Sequence, residues 1–228
     1  TSRSKPRPSK RRMLDLFLSA FVTLFVVIDP PGCAPIYAGL TANATPRQAF
    51  VMAVRACLIA SGILVVFALF GEDLLGALHI ELDSFRIAGG IMLFMIALDM
   101  VFEKRTERRE ERAEKVKATQ PQVEDVSVFP MAMPMLAGPG SIASVMLLTA
   151  RAHGLSETLV ILAALAAVML LSFIALVGAR PIIRALGSQV EAVITRLLGV
   201  LLAALAAQYV IDGIKAVSSA VAASVTGG

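Results

Sequence analysis

Long apolar runs separated by short polar stretches organise this sequence. The first run covers residues 13–41. As one helix it would be about 43 Å long, more than the roughly 30 Å of a hydrocarbon core. The motif DPPGC at residues 29–33 interrupts the run near its middle. Adjacent prolines remove two backbone donors, so the run is predicted to form two half-helices joined by an unwound elbow. Exposed backbone at that depth needs cover from protein or water, so the elbow is expected to line a cavity.

A second interruption has the same design. The motif AGPGS at residues 137–141 lies between the apolar stretches 128–136 and 142–150. The two motifs are 108 residues apart when their Pro-Gly steps are superposed, and Arg86 and Arg196 begin similar apolar segments at nearly the same offset. Each half is therefore predicted to be a broken helix followed by two helices. Paired interrupted helices are typical of secondary transporters with a central site.

The pattern predicts an all-α membrane protein with six transmembrane helices in two three-helix repeats, the first helix of each repeat being broken. Three crossings per half would give the repeats opposite orientations, so we expect inverted repeats. The predicted divisions are a basic tail (1–12), repeat 1 (13–102), a charged connector (103–125), repeat 2 (126–216) and a flexible C-terminal tail (217–228).

Capping sequences predict where helices begin. In the first half, TPRQ at residues 45–48 fits a capping box with proline at the first helical position, and it opens a helix to about Phe70. The next helix is expected at about 85–102, where the glycine pair 89–90 allows close packing.

In the second half, helices are expected at about 158–178 and 190–214. SQVE at residues 188–191 fits a second capping box, and Pro181 is expected in the connector before it.

Composition supports a membrane location. The chain of 228 residues is 57% hydrophobic and 17% charged, with a mean hydropathy of +0.78, whereas a soluble domain has about a quarter of its residues charged. The net charge of +4 comes largely from the N-terminal tail. A basic tail beside a membrane helix is more typical of contact with anionic lipid than of nucleic-acid binding.

The orientation of the termini is left open by the sequence. Positive charge draws both the tail and the connector to the cytoplasm, yet three crossings per half put them on opposite sides. The alternative is that each broken segment is a re-entrant hairpin, which would make the repeats parallel. We favour inverted repeats because acids in the connector offset its bases.

Asp29 is the candidate for proton coupling. It is predicted at the C-terminal end of a half-helix in mid-membrane, where burial and the helix dipole both favour its neutral form. The structural alternative is that its carboxylate caps backbone groups freed by Pro30 and Pro31. Its counterpart in the second half is Ala137, so a proton role would belong to the first half alone.

The elbows also predict a substrate site. Half-helices beginning at Cys33 and Ser141 would direct free N–H groups into a cavity and attract an anionic group such as a carboxylate. Ser141 is a candidate N-cap. The substrate-binding candidates are Asp29, Pro31, Gly32, Cys33, Gly138, Pro139, Gly140 and Ser141. Charged or polar residues within membrane helices give the secondary candidates Arg55, Asp99 and Gln208.

Four motifs resemble the MarC family of bacterial and archaeal inner-membrane proteins. They are FVVIDPPG at residues 25–32, RIAGGI at 86–91, FPMAMP at 129–134 leading into AGPGS, and QYVIDG at 208–213. The resemblance covers residues 13–216 in order. It implies a six-helix fold of inverted repeats and transport of small neutral amino acids of the glycine and alanine class. The candidate coupling ions, protons or another ion, follow from the setting of Asp29 and not from the resemblance.

Other functions were weighed against transport of amino acids. A channel, an exporter of another small solute or a non-transporting membrane scaffold would show no saturable exchange of amino acids. A serine hydrolase would need Ser141 close to His153, but twelve residues of helix put them roughly 18 Å apart. No cofactor, metal site or enzymatic activity is predicted, and the oligomeric state, the coupling ion and the direction of transport are left open.

Overall fold

The computed structural model describes residues 10–102, Glu111 and residues 125–226, and it leaves aside the side chains of residues 180, 182–192 and 220–226. In these ranges the regular structure is entirely helical, with no strand. Of the predicted charged connector, the structure describes only Glu111 and Asp125. Of the predicted basic tail, it describes Lys10, Arg11 and Arg12.

Across the described ranges the chain forms seven long helices and one proline-rich segment. In order they are α1 (Lys10–Ile28), α2 (Pro30–Leu40), α3 (Pro46–Ala77), α4 (Leu82–Val101), the proline segment (Ser127–Leu136), α5 (Pro139–Thr149), α6 (Leu155–Val177) and α7 (Ala179–Thr226). Five stretches are long and apolar enough to cross a bilayer, and the proline segment with α5 makes a sixth if that bent pair is one span. The predicted all-α membrane fold is thus confirmed.

The start of α3 follows from its capping box, as predicted. The Gln48 N–H donates to the Thr45 hydroxyl at 3.3 Å, and the Thr45 N–H donates to the Gln48 side chain at 2.9 Å. Pro46 is the first helical residue. The predicted end at Phe70 is wrong, because the helix continues to Ala77 through Gly71, which is buried against Met146.

The last helix is longer than predicted. α7 runs without a break from Ala179 to Thr226, so the expected start at residues 188–191 and the connector before it are wrong. Pro181 lies in the first turn, where its missing N–H breaks no intrahelical bond. Residues 217–226, expected to be a flexible tail, continue the helix, and no glycine or proline interrupts them.

Helices α4 and α7 pack closely through glycine. The glycines at this contact are Gly90, Gly199 and Gly213. A Cβ on Gly90 would lie 2.9 Å from the carbonyl oxygen of Ala206, and one on Gly199 would lie 3.1 Å from that of Ala97. Contacts that pair later residues of α4 with earlier residues of α7 show that the two helices run antiparallel. The close packing predicted for the glycine pair 89–90 is confirmed.

The remaining packing joins the two ends of the chain. α1 and α2 pack against α6, whereas the proline segment and α5 pack against α3. Each broken helix therefore lies against an unbroken helix from the other half of the sequence. Large apolar side chains such as Leu58 and Leu197 are more than 60% exposed. Exposed apolar surface of this kind suits a lipid environment.

Candidate functional site

The first helix breaks at a single residue. α1 ends at Ile28, Asp29 adopts a left-handed conformation with φ 58° and ψ 64°, and α2 begins at Pro30. Aspartate is one of the few non-glycine residues that tolerate this conformation. Pro30 and Pro31 occupy the first two positions of α2, where proline is well accommodated. The unwound elbow expected across residues 29–33 is therefore confined to Asp29.

The start of α2 is capped by the chain itself. The Gly32 N–H donates to Asp29 Oδ1 at 3.2 Å, and the Cys33 N–H donates to the Asp29 carbonyl at 3.1 Å. The two prolines before them have no N–H to donate. The expectation that α2 would begin at Cys33 and present free N–H groups to a ligand is thus wrong.

Asp29 itself has a different setting from the one predicted. Its side chain caps the N-terminal end of α2, where the helix dipole favours a negative charge. The residue is only 1% exposed. A Cβ on Gly32 would overlap the Asp29 carboxylate, so a larger residue there would displace the cap. The capping role, which the sequence offered as the structural alternative, is present.

The second break is preceded by irregular backbone. Phe129 (φ −126°, ψ 128°) and Met133 (φ −133°, ψ 124°) are extended, and each precedes a proline in a cis peptide bond. A residue before proline disfavours the helical conformation. The apolar stretch 128–136 was expected to be a regular half-helix, and it is not, although the two X-Pro steps in the sequence are a signal for this outcome.

The N-terminus of α5 lacks the cap that α2 has. The helix begins at Pro139, its N-cap is Gly138 in an extended conformation, and no side chain of the described residues caps it. Ser141 is the third residue of α5 and not its N-cap. The first N–H groups of any α-helix have no intrahelical acceptor, and here they belong to Gly140 and Ser141. The proline segment and α5 are bent by 53° at this point.

The second break lies against the end of α1. A Cβ on Gly140 would lie 3.3 Å from Val27 Cγ1 and would overlap Ile96 of α4. Val27 is two residues before Asp29. Gly140 and Ser141 are buried, with Ser141 3% exposed, whereas Pro139 at the start of α5 is exposed.

A second serine lies near the same junction. Ser144, one turn beyond Ser141, is fully buried, and its hydroxyl oxygen has no hydrogen-bond partner among the described residues. Buried hydroxyls are normally paired. Ser144 is not among the residues predicted from the sequence, although its spacing of three from Ser141 on one helix is a signal that both share a face.

The secondary polar candidates Arg55, Gln208 and Asp99 have three different settings. Arg55 Nη1 forms an ion pair of 2.6 Å with Asp125 Oδ2, and both side chains are exposed. The Gln208 amide donates to Asp212 Oδ1 at 2.7 Å within the apolar part of α7, Val193–Ser219. Asp99 is half-buried two residues before the end of α4.

Arg151 belongs to the same polar cluster as Gln208 and Asp212. Arg151 forms a 2.9 Å ion pair with Asp212, and its guanidinium lies 4.6 Å from the centre of the Tyr209 ring. This group joins the connector after α5 to α7. The contact of Arg151 with Asp212 and Tyr209 was not predicted from the sequence.

Comparison with known proteins identifies the family. Residues 14–218 match the MarC family of integral membrane proteins. The chain belongs to the MarC family. It is 32% identical over 205 residues to a UPF0056 membrane protein of Methanocaldococcus jannaschii, which covers 89% of this chain and 97% of that protein.

Bacterial MarC relatives align over similar lengths. The UPF0056 membrane protein YvbG of Bacillus subtilis is 32% identical over 89% of this chain and 96% of its own length. The UPF0056 inner membrane protein YhgN of Escherichia coli is 32% identical over 87% of this chain and 95% of its own length. No solved structure is significantly similar to the chain. The protein is integral to the membrane, and the expected bacterial or archaeal inner-membrane location is confirmed.

Proposed function

We propose that this MarC protein is a secondary transporter of small neutral amino acids, of the glycine and alanine class. It works by alternating access of two inverted three-helix halves, residues 13–102 and 126–216. The observation that carries the proposal is the pair of interrupted helices. The first break holds a buried carboxylate, and the second holds a helix N-terminus that no side chain of the described residues caps. Discontinuous helices in two halves are typical of transporters with a midplane site.

Internal symmetry supports the inverted arrangement. α2 and α5 each have 11 residues and begin at a proline. Each broken helix packs against a helix of the other half, and the two third helices, α4 and α7, run antiparallel. Inversion predicts this relation because equivalent helices of inverted repeats cross the membrane in opposite directions.

The proposed site takes the substrate carboxylate at the N-terminus of α5. The N–H groups of Gly140 and Ser141 point out of the helix there, and a helix N-terminus favours an anion. The hydroxyls of Ser141 and Ser144 supply further donors. Asp29 is the proposed partner of the substrate ammonium group. Gly138, Pro139 and Gly140 keep the site small, and the contact of Gly140 with Val27 supports a limit on side-chain size.

Proton coupling through Asp29 is a separate part of the proposal. The carboxylate is buried and lies at the break, so a change in its protonation would alter the cap of α2. Asp29→Asn is expected to change the pH dependence of transport. An unchanged pH profile would remove Asp29 from proton coupling while leaving the transporter proposal intact.

Counterflow in proteoliposomes tests the function. Proteoliposomes loaded with unlabelled glycine are expected to accumulate labelled glycine and alanine saturably. Leucine and arginine are controls that are expected not to exchange. Protein-free liposomes control for leakage. Exchange of leucine and arginine at the same rate as glycine, or no exchange by folded protein, would contradict the proposed substrate class.

Labelling from the two sides tests the crossing number. Single cysteines at Ser4 and Thr119, in a background without Cys33 and Cys57, are expected to react from opposite faces of the membrane. Reaction of both from one face would reject three crossings per half.

A further inference from the structure

A cleft lies where the first turns of α3 meet the start of the second half of the chain. Its volume is about 300 Å³, and it is lined by Arg47, Gln48, Val51, Met52, Arg55 and Asp125. Positions 47, 51 and 55 are four residues apart, so they share one face of α3. The cleft therefore presents two guanidinium groups with apolar surface between them, and it is separate from the proposed transport site.

The described residues that line the cleft carry a net positive charge. Asp125 accepts hydrogen bonds from the Ser127 N–H at 3.0 Å and from Arg55 Nη1 at 2.6 Å. Desolvation opposes its ionisation, but these partners prevail and lower the pKa of Asp125 below its ordinary value of 3.8. The carboxylate is thus charged at neutral pH. Among the described lining residues, two guanidinium groups and one carboxylate sum to one net positive charge.

The depth of the cleft in the bilayer follows from α3. No acidic or basic residue occurs between Arg55 and Glu72, and that separation is about 26 Å at helical rise, close to the roughly 30 Å of a hydrocarbon core. Leu58 and Phe70, near the two ends of this stretch, are 67% and 59% exposed, as expected on a lipid-facing surface. Arg55 therefore marks one boundary of the core, and the cleft lies at the level of lipid headgroups.

We infer that this cleft binds the headgroup of a monoanionic phospholipid such as phosphatidylglycerol. Guanidinium groups match phosphate oxygens in geometry and charge. Arg55 is 60% exposed at its side chain even while paired with Asp125, so it is accessible to a second anion. Val51, which lines the cleft between the two arginines and is 39% exposed, provides apolar surface beside the phosphate for the glycerol and the first acyl carbons.

A lipid bound in this cleft would contact an ion pair that links the two halves of the chain. The Arg55–Asp125 pair ties α3 to the residue just before the proline segment. A lipid phosphate shares Arg55 with Asp125, so it occupies a point where the two halves meet.

Native mass spectrometry of the full chain, titrated with lipid, tests the site. Wild-type protein is expected to bind phosphatidylglycerol more tightly than phosphatidylcholine with the same acyl chains. The double variant Arg47→Gln/Arg55→Gln is expected to lose about fivefold in affinity for each arginine removed. Arg151→Gln is the matched control, because Arg151 is also a partly exposed arginine paired with an aspartate, and its affinity is expected to stay at the wild-type value.

A gain-of-affinity variant keeps the test independent of loss of folding. Asp125→Asn raises the charge of the cleft by one, so its affinity for phosphatidylglycerol is expected to rise. Three results would overturn the inference: equal affinity for the two lipids, an equal loss in Arg151→Gln, or displacement of the lipid by soluble glycerophosphoglycerol at matching concentration. The last result would identify a site for a free anion and not for a lipid.

Discussion

At the first break Asp29 folds its carboxylate over the start of α2, and the backbone donors there are either missing, in two prolines, or used within the chain. At the second break the N-cap position of α5 belongs to Gly138, one residue after the sequence counterpart Ala137, and no side chain of the described residues caps the helix. Both helices are 11 residues long and begin with proline. The sequences look like duplicates, but the two N-termini differ in whether their donors are occupied.

The comparison assigns different roles to similar motifs. A capped N-terminus has little to give an incoming anion, whereas an uncapped one has donors and a favourable dipole. We therefore expect the substrate carboxylate at α5 and a structural or proton-linked role for Asp29 at α2. The difference between the capped N-terminus of α2 and the N-terminus of α5 leads to several expected effects, of which the largest concerns the glycines.

The glycines of the second break should differ sharply from each other. A Cβ on Gly138 would overlap the backbone oxygen of Pro134, whereas a Cβ on Gly140 would meet the side chains of Ile96 and Val27. Backbone cannot move aside as a side chain does, so Gly138→Ala is expected to cost about 1–3 kcal/mol and Gly140→Ala less. Thermal unfolding in detergent measures this, at about 2–4 °C per kcal/mol for a chain of this size. Equal melting temperatures for the two variants would contradict the packing described at this break.

At the first break, the cap should be separable from the charge. Asp29→Ala loses the acceptor for the Gly32 N–H and places alanine in a left-handed conformation, so it is expected to cost about 1–3 kcal/mol. Asp29→Asn keeps an acceptor and tolerates that conformation, so its melting temperature is expected near the wild-type value. If the asparagine variant melts as low as the alanine variant, the carboxylate does more than cap α2.

Two buried serines provide the smallest and most specific effect on stability. The Ser144 hydroxyl has no partner in the part of the chain that the structure describes, whereas Ser172 in α6, equally buried, donates to the Val168 carbonyl at 2.9 Å. Removing an unsatisfied hydroxyl is expected to be neutral or slightly stabilising. Ser144→Ala should therefore leave the melting temperature unchanged or raise it.

The same two serines should separate in transport. If the Ser144 hydroxyl meets the substrate carboxylate, Ser144→Ala raises the KM for glycine about tenfold, the equivalent of one hydrogen bond to a charged group. Ser172→Ala is expected to leave KM unchanged. An equal rise in both variants would show that a general loss of packing, and not a substrate contact, is responsible.

Features set by neighbouring residues were predictable from the sequence. The capping box at Thr45, the position of both breaks and the close packing at Gly90 depend on nearby residues or on side-chain size, and each is present. The extended residues Phe129 and Met133 also had a local signal, since each precedes a proline.

Features set by distant residues were not predictable. Arg55 looks like a charge within the membrane until Asp125, 70 residues away, is seen beside it. The capping box at residues 188–191 is a sound local signal, but α7 continues through it because a helix already in progress satisfies the same N–H groups. From the sequence, the Asp29 carboxylate could lie at the C-terminal end of the first half-helix or cap the N-terminal end of the second. The backbone conformation at the break decides that it caps α2.

Protection of a single cysteine by substrate tests the central claim most directly. Two proteins are compared, each with one cysteine: one keeps Cys33 at the first break, and the other carries Ser141→Cys at the second, with the remaining native cysteines replaced by alanine. Reaction with a small thiol reagent is followed with and without glycine, and glycinamide, which lacks the carboxylate, is the control ligand. The account predicts that glycine slows labelling of the Ser141→Cys protein, that glycinamide does not, and that Cys33 is affected less. Protection of Cys33 with no effect of glycine on the Ser141→Cys protein would contradict it.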